Sequence, residues 1–342
     1  MELTGTDPRN SYADKPLKAI VYHAYGSPDV LVLEEIEKPV PSENDVLIKV
    51  RAASVNPYDW HFMRGLPYAV RVIAGLRKPK VTRFGADVAG EVEAVGKNVT
   101  LLKPGDAVFG FLSGAAQGAF AEYACAPESA FARKPDRVTF EQAAAVPIAG
   151  LTALQGLRNK GRIEAGQKVL INGASGGVGT FAVQIAKAFD AHVTAVCSTR
   201  NVEMVRSIGA NCVVDYAHDD FTKSADRYDL VFDAVGNHSL IALRRILSPH
   251  GILVGVGGTT DPWMIGPLSS ALTGLILSQF GNRKLVGVLA KGNNQDLVTI
   301  GGFMESGNVS PVIDRRYQLS EVPDAVRYVE EGHARGKVVI SV

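Results

Sequence analysis

KVLINGASGGVGTFAVQIAKAF, residues 168–189, runs a buried strand into a glycine-rich turn and then into an apolar helix. Two chemistries fit the turn. Gly173-Ala174-Ser175-Gly176-Gly177 matches the G-x-S-x-G nucleophile elbow of a hydrolase, which would make Ser175 a nucleophile. Extended to Gly179, the same turn matches a phosphate cradle. Glycines let backbone amides approach a pyrophosphate, and the helix N-terminus adds partial positive charge. Two residues separate the first two glycines, so the spacing is not a strict G-x-G-x-x-G, and the surroundings must decide.

Downstream, strands and helices alternate. HVTAVCS, CVVDY, DLVFDAV and GILVGVG read as short buried strands, and NVEMVRSIGA and SLIALRRIL as helices. That rhythm predicts a parallel, doubly wound sheet. Upstream, LKAIVYHAY, VLVLEEI, DVLIKVRAASV, AGEVEAVG and AVFGFL are strands separated by Pro, Gly and Asn turns, which suits an antiparallel, barrel-like domain. Between the two regimes, TFEQAAAVPIAGLTALQGL reads as a small-residue apolar helix, with Thr139 as N-cap and Gln142 completing a capping box. GKVVISV (336–342) reads as a last strand that returns to the first domain.

This context disfavours the hydrolase. An elbow serine needs parallel strands and an oxyanion loop before it; here the preceding part is antiparallel and has no HGG-type stretch. Acids and histidines do follow it (Asp215, Asp229, Asp233; His238, His250, His333). The phosphate cradle explains more of the glycines, and assigns Ser175, Gly176, Gly177 and Val178 to a dinucleotide. The end of the second strand then selects the nucleotide. An NAD site places Asp or Glu there; this chain has Cys197-Ser198-Thr199-Arg200-Asn201, with no carboxylate until Glu203. Ser198 and Thr199 can donate hydrogen bonds, and Arg200 can pair with a 2′-phosphate. The expected cofactor is therefore NADPH, against the plainer reading of Arg200 as a solvated helix-start residue.

Composition narrows the remaining classes. The 342 residues suggest two domains. The 36 basic and 35 acidic residues leave a formal charge of +1, so there is no general field for nucleic acid. Cys125, Cys197 and Cys212 are scattered and odd in number, which fits a reducing compartment rather than a disulfide framework. The N-terminal sixteen residues have no apolar h-region, and the chain is expected to be cytoplasmic. The uncharged run from Pro262 to Asn282 approaches the length of a membrane span, but Pro267 and its glycines and polar residues favour a helix near a pocket or partner.

Taken together, the β-rich first part, AAAVPIAGLTALQGL, the glycine turn, SVNPYDWHFMRG, FGADVAGEVEAVG and GKVVI resemble the medium-chain dehydrogenase/reductase superfamily, in its zinc-free quinone oxidoreductase-like branch. The resemblance runs from about Leu17 to Val342. It implies an α/β fold: a GroES-like β-barrel-type catalytic domain (1–145 and 291–342) with an inserted Rossmann doubly wound parallel sheet domain (146–290) and a cleft between them. Zinc-dependent relatives place Cys in the segment matching SVNPYD and His-Glu in that matching FGADVAG. This chain has Asn56 and Ala86-Asp87 there, so no metal is expected; His61 is the one tempting ligand.

Without a Lewis acid, the favoured acceptor is one that already delocalises charge. The resemblance implies hydride transfer to a quinone or α,β-unsaturated carbonyl, with a small hydrophobic carbonyl or quinone as substrate. It places Asn56 in the cleft as a positioning group. Tyr58 is a candidate donor to the carbonyl oxygen, although a satisfied, half-buried hydroxyl is the commoner state. Tyr68 is a weaker candidate, and Asp59 and Asp87 fix loops. By position, Thr152 lies near the nicotinamide, Tyr216 near the adenosine phosphate, and Gly255-Val256-Gly257 beside the cleft. Lys337 is a basic cofactor contact or a solvated charge on an edge strand. The family implies a homodimer.

Other readings stay open. An enoyl-thioester reductase would need a basic channel for its carrier, and RVIAGLRKPKVTR (71–83) could supply one or be a solvated loop. An NADPH-binding protein without physiological turnover is the alternative from another class. The short-chain reductase class is disfavoured, because none of the ten tyrosines has Lys four positions later.

Overall fold

The computed structural model describes residues 16–116, 118–256 and 282–342. Gly257 and nearly all of the uncharged run 262–282 lie outside the described residues.

The chain starts with a hairpin, β1 (Leu17–Val21) and β2 (Val32–Ile36). The long strand β3 (Asp45–Val55) leads into α1 (Pro57–Arg64) and α2 (Ala69–Ala74). There follow β4 (Asp87–Val95), β5 (Ala107–Phe111), β6 (Tyr123–Pro127) and β7 (Phe131–Arg133). The expected antiparallel region is present: β3, β4, β5 and β7 pair antiparallel in that order, and β6 pairs with β3. Alternation of apolar and polar residues builds it, because successive side chains point to opposite faces.

α3 (Phe140–Ala144) and α4 (Pro147–Leu154) connect the two sheets. Thr139 caps α3 as the sequence predicts, accepting from the Gln142 amide in a capping box. The single helix expected here is broken, however. Pro147 has no amide hydrogen and clashes with a preceding turn, so it begins a new helix rather than continuing the old one. Beyond Leu154 the chain continues as a π-helical segment, Gln155–Lys160.

The second sheet is built from β8 (Lys168–Asn172), α5 (Gly177–Ala188), β9 (His192–Cys197), α6 (Val202–Ser207), β10 (Cys212–Asp215), β11 (Tyr228–Asp233), α7 (Leu240–Arg245), β12 (Leu247–Val256) and β13 (Lys284–Val288). Its order is β10-β9-β8-β11-β12-β13, all parallel. The strand order reverses at β8 and β11, and ligands bind such sheets at that switch point, beyond the carboxyl ends of the strands.

The chain ends with α8 (Asn294–Glu305), β14 (Ile313–Gln318), α9 (Val322–Glu330) and β15 (Lys337–Ser341). β15 lies between β14 and β3, so it is an interior strand of the first sheet. One apolar core runs from Ala52, Ala89 and Phe109 through Leu151 and Leu154 to Val169, Phe181 and Phe232. The two sheets therefore share packing through α3 and α4.

Candidate active site

The glycine turn follows β8 at the switch point. Gly173 has φ +82°, a conformation that L side chains rarely adopt. Gly179 is required for a different reason: a Cβ there would lie 2.0 Å from the Gly173 carbonyl oxygen. The turn is thus folded onto the first turn of α5. Gly176, the N-cap of α5, has no side-chain cap. A Cβ on it would meet nothing nearer than the Gly173 carbonyl oxygen at 3.5 Å. The first amides of this twelve-residue helix have no side-chain cap, the arrangement that helix N-termini offer to anions.

Ser175 is not arranged as a nucleophile. Its hydroxyl accepts from Asn201 Nδ2 at 3.0 Å, and the same amide donates to Ser198 Oγ at 3.1 Å. Nor are the hydrolase partners available. Asp233 accepts from Asn172 Nδ2 at 2.9 Å and from the Val235 and Gly236 amides, closing the turn after β11. His238 packs edge-on against Phe221. Asn201 was not singled out in the sequence reading. It is buried and ties the glycine turn to the end of β9.

Arg200 is exposed beyond β9, and its Nη2 donates to the His333 carbonyl at 3.3 Å. A carboxylate that the linear sequence hides also reaches this corner. Asp215 pairs in register with Cys197 and is bonded to Thr199, whose hydroxyl holds the Asp215 carboxyl below the usual range. The next residue, Tyr216, is exposed. Gly255 and Val256 end β12, beside Asp233 of β11.

Against the first turn of α5, polar residues distant in sequence meet in a buried cluster. Asn56, between β3 and α1, donates through Nδ2 to Asp87 Oδ2 at 2.8 Å and accepts from Lys337 Nζ at 2.6 Å. Lys337 also donates to the Val55 carbonyl at 3.2 Å and stands 3.5 Å from Asp87 Oδ2. Its three ammonium protons are thereby assigned. Lys337 is 2% exposed on an interior strand, not a solvated charge at an edge. Asp87 receives two further donors, Ser54 Oγ at 3.1 Å and the Ile148 amide of α4 at 3.0 Å. Asp59 accepts from the Asn56 amide at 2.7 Å.

Burial sets the electrostatics. It pushes Asp59 up to about 8, with neighbouring Asp87 adding to the shift. It also raises Asp87 and lowers Lys337, and each opposes the shift of the other. Four donors converge on Asp87, which favours its anion. The alkyl stem of Lys337 runs beneath the glycine turn: a Cβ on Gly177 would be 3.3 Å from Lys337 Cδ. One side chain therefore joins Asn56 to the first turn of α5, where Gly177 precedes Val178.

Thr152 lies on α4, one turn after Ile148, and its hydroxyl donates to the Ile148 carbonyl at 2.7 Å. Its oxygen lone pairs are left to accept. The Tyr58 ring packs against Phe62 and edge-on to Phe111. His61 Nδ1 lies 2.7 Å from the Leu66 carbonyl oxygen, and burial lowers its pKa. Facing a carbonyl oxygen, Nδ1 is the donor, and the ring is tied to the loop that follows α1.

Family models match two stretches: an alcohol dehydrogenase GroES-like domain over residues 42–136 and a zinc-binding dehydrogenase over residues 208–340. A chloroplast envelope quinone oxidoreductase homolog of Arabidopsis thaliana is 35% identical over 340 residues, covering 96% of this chain and 99% of that protein. An NADPH-dependent alkenal/one oxidoreductase, chloroplastic, of the same plant is 36% identical, covering 95% and 80%. Among solved structures, the quinone oxidoreductase from Coxiella burnetii superposes with a TM-score of 0.82 at 33% identity, covering 96% of this chain and all of that one. The fold and the cleft define a pyridine-nucleotide-dependent oxidoreductase with GroES-like and Rossmann domains. The chain belongs to the medium-chain dehydrogenase/reductase superfamily, in its quinone oxidoreductase-like branch.

Zinc, which the second family description implies, does not fit this cluster. The position open to a soft ligand is Asn56, and the ammonium of Lys337 stands within reach of both Asn56 and Asp87. A zinc ion would have to displace that cation and bind without a thiolate or imidazole. Among the described residues no three His, Cys, Asp or Glu side chains converge as a metal site. No described helix is long and apolar enough to cross a membrane.

Proposed function

We propose that this protein is an NADPH-dependent, zinc-independent oxidoreductase that delivers hydride to a quinone or an α,β-unsaturated carbonyl. One observation carries the reading: Lys337 links an uncapped glycine turn to Asn56 and Asp87, where a zinc enzyme would need metal ligands. The names of the plant and Coxiella relatives support the acceptor class.

Reduced nicotinamide supplies the hydride; the chain supplies position. The amides of Gly177 and Val178, at the start of α5, would bind the pyrophosphate beside Gly176, whose own amide donates to the Gly173 carbonyl at 3.1 Å, and Ser175 is held in place by Asn201. Ser198 and Arg200 would hold the 2′-phosphate, Arg200 offsetting the neighbouring Asp215 carboxylate, whose hydrogen bond from Thr199 favours its anion. Tyr216, Gly255 and Val256 flank the adenosine and the cleft floor. Thr152 accepts from the nicotinamide side. Asn56, whose amide protons go to Asp87 and the Ser54 carbonyl and whose oxygen accepts from Lys337, fixes the wall beside substrate or ribose, and Tyr58 is the candidate donor to the acceptor oxygen. Lys337 acts as a positioning residue, because its protons are committed to Asn56, Val55 and Asp87.

We assign 1–145 with 291–342 to the GroES-like domain and 146–290 to the Rossmann domain, a division that the two separate sheets support. β13 is the outer strand of its sheet among the described residues, a position that suits pairing across a homodimer. Three free cysteines suit the cytoplasm or another reducing compartment.

Fluorescence titration with NADPH and NADH tests the nucleotide assignment. Tighter NADPH binding that collapses in Arg200→Ala is expected. Equal affinities unaffected by the substitution would remove NADPH from the proposal.

A further inference from the structure

Asn56 and Asp87 are hydrogen-bonded to each other, yet the chain makes a long excursion between them through α1, α2 and a basic loop. From Trp60 to Ala86 this excursion has no acidic residue and six basic ones, Arg64, Arg71, Arg77, Lys78, Lys80 and Arg83, in a chain whose net charge is only +1. Its tip also projects aliphatic side chains. Val72 is 71% exposed, Ile73 74% and Leu76 72%. Singly exposed apolar residues are ordinary, but three within five positions beside a cluster of cations are not.

The patch is held in shape. Arg71 donates from Nε to the Gly65 carbonyl at 3.0 Å and lies over the Tyr25 and Tyr68 rings. The Tyr25 hydroxyl donates to the Gly75 carbonyl, and the Lys80 amide to the Ala74 carbonyl at 2.8 Å. Arg64 is neutralised by Glu330. By contrast, Arg77, Lys78 and Lys80 are exposed, and no described carboxylate pairs with them. The tip thus combines fixed, protruding aliphatics with uncompensated cations.

We propose that this tip, Val72–Lys80, docks the enzyme on an anionic lipid surface, the aliphatics entering the interface and Arg77, Lys78 and Lys80 meeting the headgroups. Charge complementarity chooses the occupant: cations pair with lipid phosphates and carboxylates, while the aliphatics reach the acyl boundary. Docking would bring the Asn56–Asp87 end of the cleft close to a bilayer. It does not depend on the acceptor or nucleotide proposed above.

The test is co-sedimentation of the full chain with phosphatidylcholine vesicles, with and without roughly one-third phosphatidylserine, across a salt series. Binding is expected only with phosphatidylserine, and it should weaken as salt rises. R77Q/K78Q/K80Q should lower the partition coefficient roughly a hundredfold, at about fivefold per charge near an anionic surface. V72S/I73S/L76S should abolish the salt-resistant part. Both variants should retain wild-type reduction of a water-soluble acceptor, so failure of docking is separable from failure of the catalytic assignment. Three outcomes overturn the proposal: no wild-type binding at low salt; binding unchanged in both variants; or loss of oligomerisation by V72S/I73S/L76S in light scattering, which assigns the patch to a second copy. Retention on poly-glutamate without vesicle binding also overturns it, in favour of an acidic protein partner.

Discussion

Replacing Lys337 by methionine removes a cation from the buried polar cluster while keeping most of its alkyl volume. Lys337 is 2% exposed and Asp87 fully buried. The substitution leaves Asp87 with three donors, from Ser54, Asn56 and Ile148, and strips Asn56 Oδ1 and the Val55 carbonyl of theirs. Removing one partner of a buried pair costs about 3–5 kcal/mol, because the remaining charge is uncompensated. At roughly 2–4 °C per kcal/mol, the melting temperature of K337M should fall by roughly 6–20 °C. The double variant K337M/D87N supplies the control. With the ammonium gone, the Asn56 amide can rotate to offer its oxygen to the new amide at position 87, and no buried charge remains. Denaturant melts at neutral pH should show the double variant more stable than K337M, with a coupling energy of about 2–3 kcal/mol. Strict additivity, or a loss below about 1 kcal/mol in K337M, would refute the claim that the ammonium compensates Asp87.

Asp59 provides a pH test. Its folded value of about 8 lies above its ordinary 3.8, so the folded state holds a proton that the unfolded chain has lost. The associated stability is full below about pH 4 and is lost as pH rises toward about 8, with a slope of up to about 1.4 kcal/mol per pH unit. Denaturant melts across that range should show this fall in the wild type and a flatter profile in D59N. Gly179→Ala places a methyl 2.0 Å from the Gly173 carbonyl oxygen and should cost roughly 1–3 kcal/mol or more, together with nucleotide affinity. Gly302→Ala in α8 meets nothing within 4 Å and should gain roughly 0.5–1 kcal/mol in the same thermal melts.

The parts legible in the sequence were those written in local patterns. Residue alternation gave β3 and β4, strand–helix alternation gave the parallel sheet, and Thr139 with Gln142 announced the start of α3. The glycine turn was also legible, because its requirements are local: Gly173 needs a positive φ and Gly179 a missing Cβ. The cleft network was not. Asn56 finds Asp87 31 positions away and Lys337 281 positions away, and only the placement of β15 between β14 and β3 brings them together. Asp87 therefore read as a loop-fixing residue, although it accepts from four donors. Asn201 was hidden similarly, because its value lies in bridging Ser175 and Ser198 across the turn. Asp215, weighed in the sequence only as a hydrolase acid, was not placed at the nucleotide corner, because that corner was read along β9 while the carboxylate arrives from the adjacent β10.

The central claim is hydride transfer to a conjugated acceptor without zinc. Its most direct measurement is NADPH oxidation with a quinone, an α,β-unsaturated ketone and the corresponding saturated ketone, before and after exhaustive treatment with a zinc chelator. Turnover of the quinone, the enone or both, none of the saturated ketone, and no response to the chelator are predicted. Reduction of the saturated ketone that disappears with the chelator and returns with zinc would contradict the account.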